Sequence, residues 1–436
     1  IVHFTPGKRW DSFYTWDSGI IGIGVLEYSI EKSQYILETY LSEEDNLDYA
    51  FLLHGSLVPT QFAQYAELVK KSRNRSALYG LYEKMRRYYN YIAGITPGST
   101  TGKFKNNLLT TYDYWYSCSG MDDYPAQVYM IDKQMMNRIC PCISTAHIIL
   151  AAKIMKMIAE DMGRKEDAEF FAEDIRRCTR ALNDLCWDEE AGYYSYTVYD
   201  ENNTITGFLR NENGENMNKG MDGIYPLIAG AAEGERKSRV LSHIKNPNEM
   251  WSQSGISAVD RSASYYFDDG YWNGNVWMSH QWFIWKAMFD LGDMDFAFEI
   301  ANTALNMWKK ETDFSYNTYE CFGIETQRGG WFHNFGGLSA PICVWANAYY
   351  RPGTVTTGFD LWLDEQQADC SSAYIKFRYC GSNEKYGILV CLSDEHEYEV
   401  LLNDEKTDFS LRGSGIIEIT LDAAVGCGEI KINAIN

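Results

Sequence analysis

Apolar residues in the first 350 positions recur at three- and four-residue steps, the period of helices with one buried face. Ile148, Ala151, Ala152, Met155, Ile158 and Met162 form one such stripe, and Ser144 is placed to cap its helix. After a break at Gly163, the stripe of Ala168, Phe171, Ala172, Ile175, Cys178, Leu182 and Leu185 follows, so residues 144–186 read as an antiparallel helical hairpin. Comparable pairs are predicted over 20–42, 60–92, 222–244 and 276–310, with one more helix over 338–350. A solenoid of helix pairs has similar periodicity, but no fixed repeat of roughly twenty to fifty residues joins these segments, which favours a closed toroid of hairpins.

Beyond Arg351-Pro352-Gly353 the chain switches to short β-rich runs separated by Gly, Asn and Asp turns. The runs are 374–379, 387–390, 398–402, 416–419 and 430–432. Their spacing predicts a small antiparallel β-sandwich with a structural role, since no cluster of catalytic residue types lies within it. The expected division is therefore a helical domain over 1–351 and a β-sandwich domain over 352–436.

Charge narrows the partners. The formal net charge of -21 repels phosphate backbones and anionic headgroups, so neither nucleic acid nor a membrane surface is expected. His147 and Lys153 interrupt the longest apolar run, 143–159, which leaves it short of a membrane span. Eleven cysteines, an odd number scattered along the chain, argue against a disulfide framework and for a reducing, cytoplasmic compartment. Cys140-Pro141-Cys142 has no second pair at metal-site spacing and reads as buried thiols. No cofactor is expected, although a structural calcium ion stays open because its carboxylate and carbonyl ligands leave no distinctive pattern. The opening His3-Phe4-Thr5-Pro6 reads like the middle of a protein, so an upstream segment is expected.

Candidate chemistry lies in four aromatic stretches that also carry carboxylates or amides. In Tyr14-Thr15-Trp16-Asp17-Ser18, Trp16 suits a sugar face and Asp17 suits two vicinal hydroxyls, but Asp17 equally suits the cap of a helix starting near Ile20. In the stretch from Trp115 through Ser119-Gly120-Met121-Asp122-Asp123-Tyr124-Pro125, two adjacent carboxylates repel, which raises one pKa if the loop is buried. Residue types alone favour the plainer reading there, an Asp cap followed by a first-turn proline. The third stretch, Asp268 to Trp277, sets Tyr271, Trp272, Asn273 and Trp277 in a glycine-rich turn, where a ligand would account for tryptophans on a surface. The fourth places Glu320 among aromatics, with Tyr319 before it and Trp331 behind. His280 and His333 read as core or rim residues rather than catalysts.

These motifs, with Cys186-Trp187-Asp188-Glu189-Glu190-Ala191-Gly192-Tyr193-Tyr194, stand in an order that resembles the catalytic domain of glycoside hydrolase family 63, the processing α-glucosidase I and bacterial α-glycosidase family. The resemblance runs from about Trp10 to Tyr350. It implies an (α/α)6 barrel, a six-hairpin toroid, and inverting hydrolysis of α-glucosidic or related α-linked bonds in short oligosaccharides. It places Asp122 as general acid, Glu320 as general base and Asp17 on the non-reducing sugar, with the remaining aromatic and polar residues named above as substrate contacts. An N-terminal β-sandwich usually precedes such a barrel, so that domain or a companion chain is an expected partner. Ala126 and Asn273 stand where members often carry arginines, which separates this chain's substrate from theirs more than its catalytic pair. Trehalase-like or rhamnosidase-like hydrolysis, or carbohydrate binding without catalysis, are the other readings.

Overall fold

The computed structural model describes residue 7 and residues 14–41, 58–110, 119–337 and 339–435. Helices α1 (Thr15–Leu26) and α2 (Ile30–Tyr40) form the first pair. Next come α3 (Thr60–Lys71), the short α4 (Arg75–Tyr79) and α5 (Tyr82–Ile92). The short α6 (Pro125–Asp132) precedes α7 (Cys142–Asp161) and α8 (Lys165–Leu185). Two further pairs follow, α9 (Met221–Ile228) with α10 (Gly234–Lys245) and α11 (Met278–Asp290) with α12 (Met294–Ser315), and then α13 (Pro341–Tyr350).

Packing follows the sequence pattern. Every residue of α9 and α11 is buried, as expected of helices apolar nearly all round, whereas α8 and α10 bury only one stripe. Helix α1 contacts α3, α3 contacts α7, α7 contacts α9, α9 contacts α11, α11 contacts α13, and α13 returns to α1. Three glycines allow α1 its close neighbours: a Cβ at Gly19 would collide with Thr60, one at Gly22 with Gln64, and one at Gly24 would lie 2.6 Å from the Ala340 Cβ.

Two expectations about α7 need correction. The helix starts at Cys142 with Pro141 at its N-cap and no side-chain cap, so Ser144 lies inside it, where the periodicity alone placed the boundary too late. At 20 residues α7 is also long and apolar enough to cross a membrane, because His147 and Lys153 dilute its hydropathy without lowering it enough; in the fold, 83% of its most apolar window is buried.

The β-rich region supplies two antiparallel sheets. Here β1 (Tyr319–Phe322) and β2 (Gly329–His333) are a hairpin within the helical region. After α13 come β3 (Thr354–Thr357), β4 (Leu361–Ala368), β5 (Ser372–Tyr379), β6 (Lys385–Cys391), β7 (Glu397–Leu402), β8 (Glu405–Lys406), β9 (Ser410–Gly413), β10 (Ile416–Asp422) and β11 (Cys427–Ile435). The sheet orders are β3-β6-β10-β9 and β4-β5-β11-β7-β8. Ile375, Phe377, Ile388, Val390, Ile417, Ile419, Ile430 and Ile432 fill a core shared by both sheets, while Phe359, Trp362 and Leu389 belong to the helical core.

Buried charges seat this region on the helices. The Lys70 ammonium donates to the Gly358 carbonyl at 2.8 Å, and Asp290 accepts from the Phe359 and Asp360 amides at 2.9 and 2.8 Å. Lys286 pairs with Glu67 at 2.8 Å, and Lys153 pairs with Asp360. Each buried charge therefore faces an opposite charge or a fixed backbone dipole.

Candidate active site

Helix α1 begins at Thr15, five residues earlier than the hydrophobic pattern suggests, so Asp17 stands in its first turn rather than at its cap. The turn is clamped from α3: Thr60 Oγ1 donates to the Trp16 carbonyl at 2.9 Å, and Gln61 Nε2 donates to the Thr15 carbonyl and Ser18 Oγ at 2.6 and 2.7 Å. Trp16 is buried and stacks on His280 at 4.8 Å, with its Nε1 unpartnered among the described residues. Asp17 Oδ1 is likewise buried and unpartnered among them.

The cap reading of Asp122 and Asp123 does not hold either. Proline does open α6, but Tyr124 occupies the N-cap without a side-chain bond. Asp123 instead reaches across to the third stretch, where its Oδ1 accepts the Trp272 amide at 2.9 Å. Asp122 and Asp123 are both half-buried.

The third stretch is a tight turn. Phe267 N–H donates to the Asn273 carbonyl at 3.0 Å and Asn275 N–H to the Gly270 carbonyl at 2.9 Å, and Asn273 lies half-buried against Gly270. Trp272 and Trp277 stack face to face with centroids 3.4 Å apart, and Trp277 Nε1 donates to the Tyr271 carbonyl at 3.0 Å. Their rings are only 2% and 1% exposed, which corrects the expectation that a ligand is needed to shelter them. They form a rigid floor beneath Tyr271, whose ring lies 4.8 Å from Trp277.

Tyr271 joins this floor to Glu320. Its hydroxyl donates to Glu320 Oε1 at 2.5 Å, while Oε2 is buried without a partner among the described residues. Pairing of β1 and β2 runs Tyr319 with His333 and then Cys321 with Gly330, so Glu320 sits at a register shift, an irregularity of the kind that re-aims a side chain. Exchanged backbone bonds between Val276 and Phe322, at 2.9 and 3.0 Å, tie the turn to the hairpin. Tyr319 is half-buried over Gly329, and Trp331 leaves its indole 58% exposed while tilting against Tyr271 at 4.4 Å.

Electrostatics shows that three carboxyls share one region. Burial pushes Asp17 up to about 8, with Glu320 and Asp122 adding repulsion. Asp122 rises to about 6 through burial and the neighbouring Asp123. Glu320 rises to about 7 through burial, helped by Asp122 and opposed by the hydrogen bond from Tyr271. No lysine or arginine contributes to these shifts among the described residues.

Of the sequence candidates, Trp16, Asp17, Asp122, Asp123, Tyr271, Trp272, Asn273, Trp277, Tyr319, Glu320 and Trp331 fall in elements joined by these contacts, while Trp115 lies outside the described residues. Sequence reasoning passed over His280 as a core residue. It is fully buried, pushed down to about 3 by desolvation, bonded through Nδ1 to the Tyr225 hydroxyl at 2.7 Å, and backs both Trp16 and Trp272. The ten described cysteines are unpaired, and Cys140 and Cys142 are buried. Metal-ligand spacing among the described residues occurs at His243, Glu249 and Asp260, where Glu249 already meets His243 Nδ1 at 2.6 Å and Asp260 accepts from the Tyr193 hydroxyl at 2.9 Å.

A family model described as the mannosylglycerate hydrolase MGH1-like glycoside hydrolase domain matches residues 59–331. The chain belongs to this glycoside hydrolase family. Among curated relatives, a mannosyl-oligosaccharide glucosidase of Saccharomyces cerevisiae is 22% identical over 228 residues, 50% of this chain and 26% of that protein. A protein of Schizosaccharomyces pombe described as a probable mannosyl-oligosaccharide glucosidase is 26% identical over 181 residues, 39% of this chain and 20% of that protein. The matched part thus spans about a quarter or less of these relatives' length. The family 63 mannosylglycerate hydrolase of Thermus thermophilus, in complex with glucose, superposes with a TM-score of 0.62 at 17% identity, covering 79% of this chain and 95% of that one. Neutral trehalase Nth1 of Saccharomyces cerevisiae gives 0.56 at 14%, covering 79% and 73%. These likenesses establish a mainly helical family 63-like fold with a β-rich C-terminal region.

Proposed function

We propose that the chain is an inverting glycoside hydrolase that cleaves α-glucosidic or related α-linked bonds in short oligosaccharides. In this reading the six helices in cyclic contact are the inner ring of an (α/α)6 barrel, and the three carboxyls gather where its loops meet. Asp122, raised to about 6, protonates the departing oxygen. Glu320 takes a proton from the attacking water through its unpartnered Oε2, while Tyr271 holds its other oxygen. Inversion requires room for that water, with the carboxyls roughly 6.5–9.5 Å apart. Asp17, mostly protonated at neutral pH, can donate to one sugar hydroxyl and accept from another.

The observation that carries the reading is the shared raising of Asp17, Asp122 and Glu320 by burial and by one another. Structural carboxylates are ordinarily paired with cations, as Glu67 and Asp360 are; an unneutralised carboxyl group is the arrangement acid and base chemistry needs. The Thermus relative is described as a mannosylglycerate hydrolase. The test is turnover of α-linked glucose and mannose disaccharides by the wild type, Asp122→Asn and Glu320→Gln. Release of free sugar that both substitutions reduce by at least about a thousandfold supports the reading. Undiminished turnover in either contradicts the assignment.

A further inference from the structure

Asp123 neighbours the candidate acid but exchanges no proton in the proposed reaction. Both carboxyls occupy the centre of a turn closed by the Tyr124 amide, which donates to the Met121 carbonyl at 3.2 Å. Met121 and Tyr124 are fully buried at its two ends, and the Tyr124 hydroxyl donates to Asn218 Oδ1 at 2.9 Å. Asp122 and Asp123 are left half-buried between them.

From this turn Asp123 reaches the backbone that carries the base. Its Oδ1 accepts the Trp272 amide at 2.9 Å, across 149 residues of sequence. Trp272 is a fixed point: its ring is buried, stacks on Trp277 with centroids 3.4 Å apart and stands edge-on to His280 at 5.4 Å. The preceding residue, Tyr271, donates its hydroxyl hydrogen to Glu320 Oε1 at 2.5 Å, and its carbonyl accepts from Trp277 Nε1 at 3.0 Å. Two hydrogen bonds thus join acid to base: Asp122 neighbours Asp123, which holds Trp272, and Trp272 neighbours Tyr271, which holds Glu320. The base side is also tied to β1 by the exchanged bonds between Val276 and Phe322. Loss of the Asp123 bond therefore frees the acid turn and leaves Glu320 in place.

We propose that Asp123 is a positioning residue, whose bond to the Trp272 amide fixes Asp122 against the glycosidic oxygen and sets its separation from Glu320. The inference rests on reading Asp122 as the general acid and Glu320 as the base. Inversion leaves room for one attacking water between them, so a turn that drifts loses the protonation step. That step separates two kinds of leaving group: a departing sugar needs a proton, whereas departing fluoride does not.

The experiment compares a disaccharide that the wild type hydrolyses with the α-glycosyl fluoride of the same sugar, for Asp123→Ala, Asp123→Asn and Asp122→Asn, each confirmed as folded by circular dichroism. Asparagine keeps an oxygen that can accept the Trp272 amide and removes only the charge, whereas alanine removes both. Asp123→Ala is expected to lower kcat on the disaccharide roughly a hundredfold while kcat on the fluoride stays within about threefold of wild type. Asp123→Asn should recover most of that loss, to within about tenfold of wild type; the remainder reflects the charge that helps Asp122 keep its proton. Asparagine no better than alanine, equal losses on both substrates, or no loss with alanine overturns the positioning role. A raised KM with kcat preserved also overturns it, because Asp123 would then be a substrate contact. If Asp122→Asn itself loses the fluoride reaction as severely as the disaccharide reaction, or if the wild type hydrolyses neither substrate, the acid assignment fails and the inference with it. If Asp122→Asn spares the fluoride and Asp123→Ala does not, only the inference fails.

Discussion

Tyr271 donates its hydroxyl hydrogen to Glu320 at 2.5 Å, across 49 residues of sequence. The bond favours the carboxylate and restrains the rise that burial imposes on Glu320. In Tyr271→Phe the ring can still pack on Trp277 and Trp331, but the restraint is gone. Because Glu320 holds its proton more tightly than Asp122, it sets the alkaline limb of the kcat/KM profile, which should move to higher pH by about one unit while the maximum falls, since a hydrogen bond to a charged group contributes about 1.5–3 kcal/mol and one unit corresponds to about 1.4. Rates measured in steps from pH 4 to 9 would show it; an unmoved alkaline limb contradicts the role given to Tyr271.

The wild-type profile follows from the pair. Activity needs a proton on Asp122 and none on Glu320, while their raised values are about 6 and about 7. Protons leave in two steps that belong to the pair, so kcat/KM should form a bell with its maximum near pH 6.5. Lowering the pH fills both carboxyls, and raising it empties both. Because Glu320 holds a proton more tightly than Asp122, only about one in ten singly protonated molecules has the productive arrangement. A flat profile between pH 5 and 8 would contradict the assignment.

Trp331 offers the most exposed ring beside Glu320, on a left-handed residue at φ 63° that packs against Tyr271. Under the proposed function it is a stacking platform for a substrate sugar. Trp331→Ala should reduce kcat/KM roughly fivefold, corresponding to about 1 kcal/mol of lost stacking, with denaturant stability changed by less than about 0.5 kcal/mol. Kinetics and urea unfolding on the same preparation separate the two effects.

Lys286 and Glu67 predict a stability effect remote from sugar chemistry. Burial alone would raise Glu67, but Lys286, Lys70 and Lys71 outweigh it and hold the carboxyl below its usual range. Lys286→Ala should destabilise the fold by about 3 kcal/mol in urea unfolding, since one partner of a buried pair is left uncompensated. Because the folded-state value is depressed, Glu67's contribution is present above its ordinary value of 4.5 and lost as pH falls through the folded one. The difference between wild type and variant should therefore narrow on acidification.

Helical periodicity was enough to locate most of the helices, because burial of one stripe repeats locally. It misplaced the starts of α1 and α7, where capping side chains are absent and tertiary clamps such as Gln61 on Thr15 set the boundary. The five β-rich runs all lie in strands, but β3, β4, β8 and β9 escaped notice; the polar outer half of β4, Asp364 to Gln367, masks its alternation. Aromatic carboxylate motifs were readable as candidates because the chemistry needs those residue types. His280 was not, since its significance comes from contacts with Tyr225 and Trp16 that no local pattern encodes.

The central claim is that Asp122 and Glu320 act on opposite faces of an α-linked sugar. Proton NMR of the hydrolysis of an α-linked disaccharide, recorded before mutarotation, tests it most directly. The account predicts that the β-anomer appears first and that no early β-signal is seen with Asp122→Asn. The α-anomer appearing first would show retention and contradict the assignment of acid and base.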